Sequence, residues 1–150
     1  MRRPAVLLDT NLFVLLVVGR VAPALVGVHK RLRAYDSAAN TLLGNVLTGF
    51  DVLVSTPNIL TETSNLLGRS DDEFGLRCTA MLRYLIESAV EIPVPSRSAA
   101  ALPAFSWLGL ADAATIEALK DDTLLLTDDE PLFVAALRAN RRAELFSTLR

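Results

Sequence analysis

Two short apolar runs that each end in an acidic group constrain the fold of this chain more than any other feature. The run at 6–8 leads directly into Asp9, and the run at 124–126 leads into Thr127 and a pair of aspartates. Buried parallel strands have this form, because both of their faces are covered and only their ends meet polar residues. Ligands of open parallel sheets bind just beyond the carboxyl ends of the strands. Two strands far apart in sequence can therefore bring their carboxylates to one cleft.

Helical periods alternate with further short apolar runs along the rest of the chain. Such alternation predicts an α/β fold with three layers, α/β/α, around a short central parallel sheet of four to five strands. A chain of 150 residues, 51% of them apolar, is long enough for one domain, which we place at 1–150. Strands are predicted at 5–8, 51–55, 89–93 and 123–126, with a short edge strand at 145–148. Helices are predicted at 11–18, 23–35, 37–48, 57–67, 70–88, 111–120 and 131–140.

The composition argues against several other classes of protein. The apolar run at 12–18 is far too short to span a bilayer, so no membrane association is expected. Cys78 is the only cysteine, which rules out a disulfide framework and fits a reducing cytoplasm. His29 is the only histidine, and without a second histidine or a cysteine pair a zinc site has little support.

Four acidic residues occupy the predicted edge where strands end and helices begin. Each has an ordinary structural interpretation as well. Asp9 and Asp129 can cap the helices that follow them, because aspartate accepts hydrogen bonds from the first helical N–H groups. Asp112 can be a first-turn acid favoured by the helix dipole, and Glu62 can be a solvated helix residue. All four are nevertheless predicted at one edge, and a carboxylate cleft without histidine or cysteine favours Mg²⁺ or Mn²⁺.

The basic residues are mostly arginines, and they fall into clusters along the chain. They are either solvated helix faces or contacts for the phosphates of a nucleic acid, and the sequence leaves both interpretations open. The clusters that are candidates for RNA contact are Lys30, Arg31 and Arg33, and Arg138, Arg141 and Arg142, besides an N-terminal pair, Arg2 and Arg3.

Four segments of the chain together resemble the motifs of PIN-domain nucleases, especially the toxin ribonucleases of prokaryotic VapBC-type toxin–antitoxin pairs. The segment LLDTN resembles the first motif of the family, which carries its first acid to Asp9 and a small polar residue to Asn11. TPNILTETSNLL resembles the second helix of the family and carries its second acid to Glu62. GLADAATIEAL resembles the third motif and carries the third acid to Asp112.

LLLTDD is similar to the final motif of the family and completes a resemblance that covers the whole chain. It places the family hydroxyl at Thr127 and the fourth acid at Asp129, with Asp128 in the variable position. Thr127 and Asn11 are then expected to orient the carboxylates or the attacking water. One departure is the segment at 23–48, which makes the stretch before the second motif longer than in the most compact toxins. That length bears on the substrate groove and the partner rather than on the chemistry.

The resemblance implies a PIN-like fold and a metal-dependent endoribonuclease that hydrolyses RNA phosphodiester bonds with Mg²⁺ or Mn²⁺. The products would carry a 5′-phosphate and a 3′-hydroxyl. Asp9 and Asp112 are expected to be the inner ligands of the ion, because Mg²⁺ typically takes one or two protein carboxylates. Glu62 would hold the attacking water or act as its base, and Asp129 would complete the site.

Partners are also implied by the resemblance: an RNA substrate, a cognate antitoxin protein and a second copy of the chain in a homodimer. The apolar helices predicted at 23–48 and 59–67 are candidate interfaces, since large exposed apolar patches usually mark such surfaces. The alternative is that the helices of both regions complete the core.

Other interpretations of the acidic motifs carry less weight. A response-regulator receiver would need an aspartate after the third strand, where this chain has Ile92 and Pro93, and a lysine after the fifth. A haloacid-dehalogenase phosphatase would need Asp-x-Asp, whereas Asp9 is followed by Asn11. The stronger rival is a non-catalytic PIN-fold scaffold that binds RNA or protein. The presence of all four family acids argues against it, and a cleavage assay with and without Mg²⁺ separates the two.

Overall fold

A five-stranded, all-parallel sheet forms the centre of the protein, in the order β3-β2-β1-β4-β5. The computed structural model describes residues 3–150, so Arg2 of the N-terminal basic pair lies outside the described residues. The predicted α/β fold is confirmed, and the sheet has the larger of the two strand numbers expected. The strands are β1 (Ala5–Leu8), β2 (Val52–Ser55), β3 (Val90–Glu91), β4 (Thr123–Thr127) and β5 (Arg142–Leu145).

Helices connect the strands and cover the sheet, which gives the α/β/α layering. They are α1 (Thr10–Val21), α2 (Ser37–Leu47), α3 (Pro57–Leu67), α4 (Glu73–Ser88), α5 (Ser96–Ala100), α6 (Phe105–Leu108), α7 (Leu110–Ala118) and α8 (Glu130–Arg138). Two 3₁₀ turns, Pro23–Leu25 and Phe146–Leu149, complete the regular elements of the described residues. None of the helices found in residues 3–150 has the length and apolarity that crossing a membrane requires.

The two apolar runs that predicted the sheet are its central strands. Every residue of β1 and β4 is buried, as expected for strands covered on both faces. They pair directly in parallel, with Leu8 opposite Leu126. Asp9, which follows β1, and Thr127, the last residue of β4, are therefore neighbours at the carboxyl edge of the sheet, although they are far apart in sequence.

The helix predicted at 23–35 is wrong. Only Pro23–Leu25 forms a 3₁₀ turn, and the chain then passes through irregular turns as far as Tyr35. Gly27 has a φ of +89°, a left-handed conformation that ends any helix at this point. The buried apolar residues after it, Val26, Leu32 and Tyr35, do not follow a helical period and reach the core from a loop.

The outer strands also differ from the prediction. The edge strand expected at 145–148 lies earlier, at Arg142–Leu145, and 146–149 is a 3₁₀ turn. Exposed and half-buried residues alternate along this strand. Because two of its four residues are charged, it does not appear in the sequence as an apolar run. β3 is reduced to two residues because Pro93 follows closely and cannot donate to a strand ladder.

Candidate functional site

All four predicted acids line one pocket at the carboxyl edge of the sheet. The pocket has a volume of about 320 Å³ and opens to solvent. Asp9 follows β1, Glu62 lies on α3, Asp112 lies in the first turn of α7, and Asp129 caps α8. The structure thus brings together four acids from four different elements. The other lining residues are Thr10, Asn11, Leu108, Leu110, Ala111 and Leu132.

Asp9 forms the floor of the pocket and is 9% exposed. It is the N-cap of α1, since its Oδ1 accepts a hydrogen bond of 3.1 Å from the Leu12 N–H. Its Oδ2 accepts a hydrogen bond from the hydroxyl of Thr127, at the end of the neighbouring strand β4. Asp9 is therefore the cap of α1, which starts at Thr10, and Asp9 also lines the pocket.

Thr127 also holds the fourth acid. Its hydroxyl oxygen accepts a hydrogen bond of 2.9 Å from the backbone N–H of Asp129. Oδ1 of Asp129 in turn accepts a bond of 3.0 Å from the Leu132 N–H at the start of α8. The expectation that Thr127 orients carboxylates thus has a direct geometric counterpart, because one hydroxyl contacts both Asp9 and the backbone of Asp129.

Local sequence explains how the other two acids reach the pocket. Thr56 caps α3 by accepting a bond of 3.2 Å from the Ile59 N–H, and Pro57 begins the helix. Glu62 lies in the middle of this helix and lines the pocket from there. Gly109 has a φ of +87° at the junction of α6 and α7, a conformation that L side chains rarely adopt. That turn starts α7 at the pocket and places Asp112 in its first turn.

Mutual repulsion and burial perturb the two inner acids. Burial, together with the charges of Asp129, Asp9 and Glu62, raises the pKa of Asp112 from 3.8 to about 6. Burial likewise raises the pKa of Asp9 to about 6, against the opposing effect of its bonds from Thr127 and Leu12. Among the described residues, no lysine or arginine lines the pocket to compensate this charge. The four acids therefore have no neighbouring cation among the described lining residues.

The donor set fits a hard divalent cation. All four acids offer oxygen ligands, and a bound dication would offset the repulsion that raises the pKa of Asp9 and Asp112. Within residues 3–150, no set of three or more Asp, Glu, His or Cys side chains is arranged to hold a metal ion as the side chains stand. The pocket is thus not a closed protein cage, and Mg²⁺, which binds through one or two carboxylates and several waters, does not require one.

One of the two candidate clusters for RNA contact lies at the amino edge of the sheet, away from the four acids. α8 begins at Asp129 beside the pocket and runs away from it to Arg138. Arg142 then begins β5 opposite Leu124, near the start of β4, and so lies at the amino edge of the sheet. Of the two candidate clusters for RNA contact, this one is therefore placed away from the acidic pocket, because in a parallel sheet a helix that starts at one edge ends at the other.

The second predicted cluster lies on the loop before α2. Lys30, Arg31 and Arg33 are exposed there, and none of them lines the pocket. The loop ends at Tyr35, whose hydroxyl donates a bond of 2.7 Å to Asp128 at the carboxyl edge. The loop that carries this cluster is therefore tied to the carboxyl edge at Tyr35, and the three basic residues lie outside the pocket.

Asp128, placed at a variable motif position, has a structural role that the sequence did not indicate. Its Oδ2 accepts the bond from the Tyr35 hydroxyl, and its Oδ1 accepts one of 2.6 Å from the Ser147 N–H. The ring of Tyr35 packs against Phe146, with 6.1 Å between ring centroids. Asp128 therefore ties the long loop and the C-terminal turn to the end of β4, and it does not line the pocket.

For the helix at 59–67, the structure supports the alternative that its apolar residues complete the core. Ile59 and Leu60 are buried, and Leu66 and Leu67 pack against the main cluster. Large exposed apolar side chains lie elsewhere among the described residues. Those at least half exposed are Val28, Leu76, Tyr84, Val90 and Trp107.

Comparison with protein-family models and with curated protein sequences finds no match to this chain. The PIN family therefore stays a resemblance carried by the four motifs. The fold and the convergence of the four acids, by contrast, are properties of the structure.

Proposed function

We propose that this protein is a metal-dependent endoribonuclease that hydrolyses RNA phosphodiester bonds with Mg²⁺ or Mn²⁺. The observation that carries the proposal is the pocket shared by Asp9, Glu62, Asp112 and Asp129 at the carboxyl edge of the parallel sheet. The raised pKa of Asp9 and Asp112 supports it, since a site with such a charge excess favours a dication. The motif resemblance to PIN-domain nucleases supports the reaction type.

Asp9 and Asp112 are the residues proposed to hold the ion, because they are more buried than Glu62 and Asp129. When bound, the ion would polarise the scissile phosphate and lower the pKa of the attacking water. Glu62 is exposed, and its carboxylate makes no hydrogen bond with the described residues, so it is free to orient that water and accept its proton. Asp129 keeps Oδ2 available on the opposite wall, since only Oδ1 caps α8.

The finer biological role follows from the resemblance alone. We propose that the chain is the toxin of a type II toxin–antitoxin pair, acts in the cytoplasm as a homodimer, and is inhibited by a cognate antitoxin protein. The buried free thiol of Cys78 suits a reducing compartment. The exposed Trp107 and Tyr84 are the apolar side chains most suited to contact a protein partner.

A cleavage assay with matched variants tests the proposal. The purified chain should cleave RNA with Mg²⁺ or Mn²⁺ and lose that activity in excess EDTA. Asp112→Asn should lower the rate about 100-fold or more, since losing a ligand costs at least as much as losing a residue that supports one. Asp122→Asn is the matched control, because Asp122 is also half-buried, lies before β4 and does not line the pocket.

The outcomes of this assay distinguish a ribonuclease from a non-catalytic scaffold that binds RNA or protein. Loss of cleavage in Asp112→Asn with full cleavage in Asp122→Asn supports the nuclease. RNA binding without cleavage in either ion would instead favour the non-catalytic scaffold. Cleavage that survives both EDTA and Asp112→Asn would come from another enzyme or another site.

A further inference from the structure

A second cavity continues from the acidic pocket along α3. It has a volume of about 490 Å³ and is open to solvent. It shares Glu62, Leu110 and Ala111 with the acidic pocket, so the two form one continuous groove. An RNA strand whose scissile phosphate lies at the four acids would therefore place the adjoining nucleotide in this second cavity.

One wall of the second cavity is a polar stripe of α3. Asn58, Thr61, Glu62 and Asn65 are spaced by three and four residues, so they share one helix face. No hydrogen bond with the described residues engages the side chains of Asn58, Thr61 or Asn65. Their donors and acceptors are thus available to a ligand. The facing wall consists of Pro93, Val94, Ser96 and the two residues from α7.

The chemistry of this cavity suits a base rather than a phosphate. No lysine or arginine lines it, so a phosphate there would find no cation within the described part of the chain. Asparagine amides carry both donors and acceptors, which match the edges of a nucleobase. Leu110, which is 38% exposed, offers an apolar face on which a base can stack. A base can use its Watson–Crick edge in this way only when it is unpaired.

We propose that the second cavity is a base-recognition subsite and that Asn58 and Asn65 determine which base is accepted beside the scissile phosphate. This inference rests on the proposed ribonuclease function. Asn58 is half-buried near the start of α3, and Asn65 lies two helical turns further along the same stripe. The two amides therefore frame the cavity from its two ends, with Thr61 between them. Specificity comes from their hydrogen bonds, while the acids carry out the reaction.

The test uses single-stranded oligoribonucleotides in which one position carries each of the four bases in turn. The wild-type chain should prefer one base, or either purines or pyrimidines, at the position beside the cleaved bond. Asn58→Ala/Asn65→Ala should lower kcat/KM for the preferred base roughly 10- to 30-fold, chiefly through KM, as expected for two lost hydrogen bonds. The poorest base should be almost unaffected, so the preference should collapse. The same sequence in a duplex should be cut poorly.

Asn45→Ala is the matched control, because Asn45 is an exposed asparagine on α2 that lines neither cavity. It should keep both the rate and the base preference. Unchanged preference in the Asn58→Ala/Asn65→Ala variant, or no preference in the wild type, would overturn the subsite.

A binding assay separates this inference from the nuclease proposal. Fluorescence anisotropy of the labelled oligoribonucleotides is measured for Asp112→Asn with and without the two asparagine substitutions. Base-selective binding that depends on Asn58 and Asn65, with no cleavage by the wild type, would keep the subsite and refute the nuclease. Cleavage whose base preference ignores both asparagines would keep the nuclease and refute the subsite. Neither binding nor cleavage would refute both.

Discussion

The hydroxyl of Thr127 donates a hydrogen bond to the carboxylate of Asp9, across 118 positions of sequence. The contact is possible because β1 and β4 are adjacent and end in register. The same oxygen accepts the backbone N–H of Asp129, 2.9 Å away. One side chain therefore positions two of the four acids in the pocket. Thr127 is fully buried, so no water can replace its hydroxyl easily.

Replacing this hydroxyl should damage both stability and activity. Thr127→Val keeps the β-branched shape but leaves the Asp9 carboxylate and the Asp129 N–H without their partner. We expect the free energy of unfolding to fall by about 1–3 kcal/mol, with a loss of RNA cleavage. Thr127→Ser, which retains the hydroxyl, should recover most of the activity. Urea denaturation and initial cleavage rates measure the two effects.

Thr63→Val is the matched control for that substitution. Thr63 is also fully buried, but its hydroxyl has no hydrogen-bond partner among the described residues. Removing an unsatisfied buried hydroxyl should leave the free energy of unfolding unchanged or increase it. Equal destabilisation by Thr63→Val and Thr127→Val would show that the hydrogen bond to Asp9 contributes little.

The raised pKa of Asp9 predicts how the metal-free protein responds to pH. Between the ordinary value of 3.8 and about 6, folded Asp9 holds a proton that the unfolded chain has released. Unfolding then releases this proton, so the free energy of unfolding falls as pH rises through that window. The difference between the two pKa values corresponds to roughly 3 kcal/mol for this group. The pKa of Asp112, also raised to about 6, acts in the same direction.

Chemical denaturation in EDTA at several pH values measures this slope. Asp9→Asn should flatten it, because the amide cannot titrate, and Mg²⁺ should restore stability mainly above the window, where the carboxylates are charged. A metal-free protein whose stability rises steadily from pH 4 to pH 7 would contradict the electrostatic account of the pocket.

Asp128 and Asp129 are adjacent in sequence but should respond differently to substitution. Asp128→Asn perturbs the bonds from Tyr35 and Ser147, so it should reduce stability by about 1 kcal/mol while cleavage stays close to that of the wild type. Asp129→Asn changes a pocket acid and should reduce cleavage strongly. Tyr35→Phe should reproduce the stability loss of Asp128→Asn. Similar loss of cleavage in both aspartate variants would mean that the fourth acid is misassigned.

The two basic clusters should contribute unequally to RNA binding. Substituting Lys30, Arg31 and Arg33 with Gln should weaken binding and lower the salt slope by up to about 2, because fewer counterions are released from a single strand. The same substitution of Arg138, Arg141 and Arg142 should change neither, because these residues lie at the amino edge. Salt-dependent binding isotherms for the two triple variants decide the point. Binding that depends on Arg138, Arg141 and Arg142 alone would place the RNA at the amino edge of the sheet and would contradict this prediction.

The elements that carry the acids could be predicted because each has a strong local signal. β1 and β4 are continuous apolar runs, and Pro57 marks the start of α3. The helix predicted from 111 begins one residue earlier, at Leu110, and keeps Asp112 in its first turn. Parallel pairing then requires the strand ends to meet at one edge, so the meeting of the acids follows from local patterns alone.

Other features depend on long-range contacts that leave no local signal. Nothing near Tyr35 indicates that its hydroxyl will meet Asp128, because the bond depends on the path of an irregular loop. The place of Arg138 could have been inferred, by contrast. A helix that begins at the acidic edge of a parallel sheet must end at the opposite edge, so the start of α8 beside Asp129 already places Arg138 away from the acids.

The chemical nature of the RNA ends tests the central claim most directly, because it identifies the reaction as well as the activity. The purified chain is incubated with Mg²⁺ and an RNA labelled at either end, and the new ends are analysed. Hydrolysis at the carboxylate pocket should produce 5′-phosphate and 3′-hydroxyl ends and should still cut where the 2′-hydroxyl before the bond is replaced by hydrogen. The ends should not form with Asp9→Asn. Products with 2′,3′-cyclic phosphates, which arise from attack by the RNA's own 2′-hydroxyl, or undiminished cleavage by Asp9→Asn, would contradict the account.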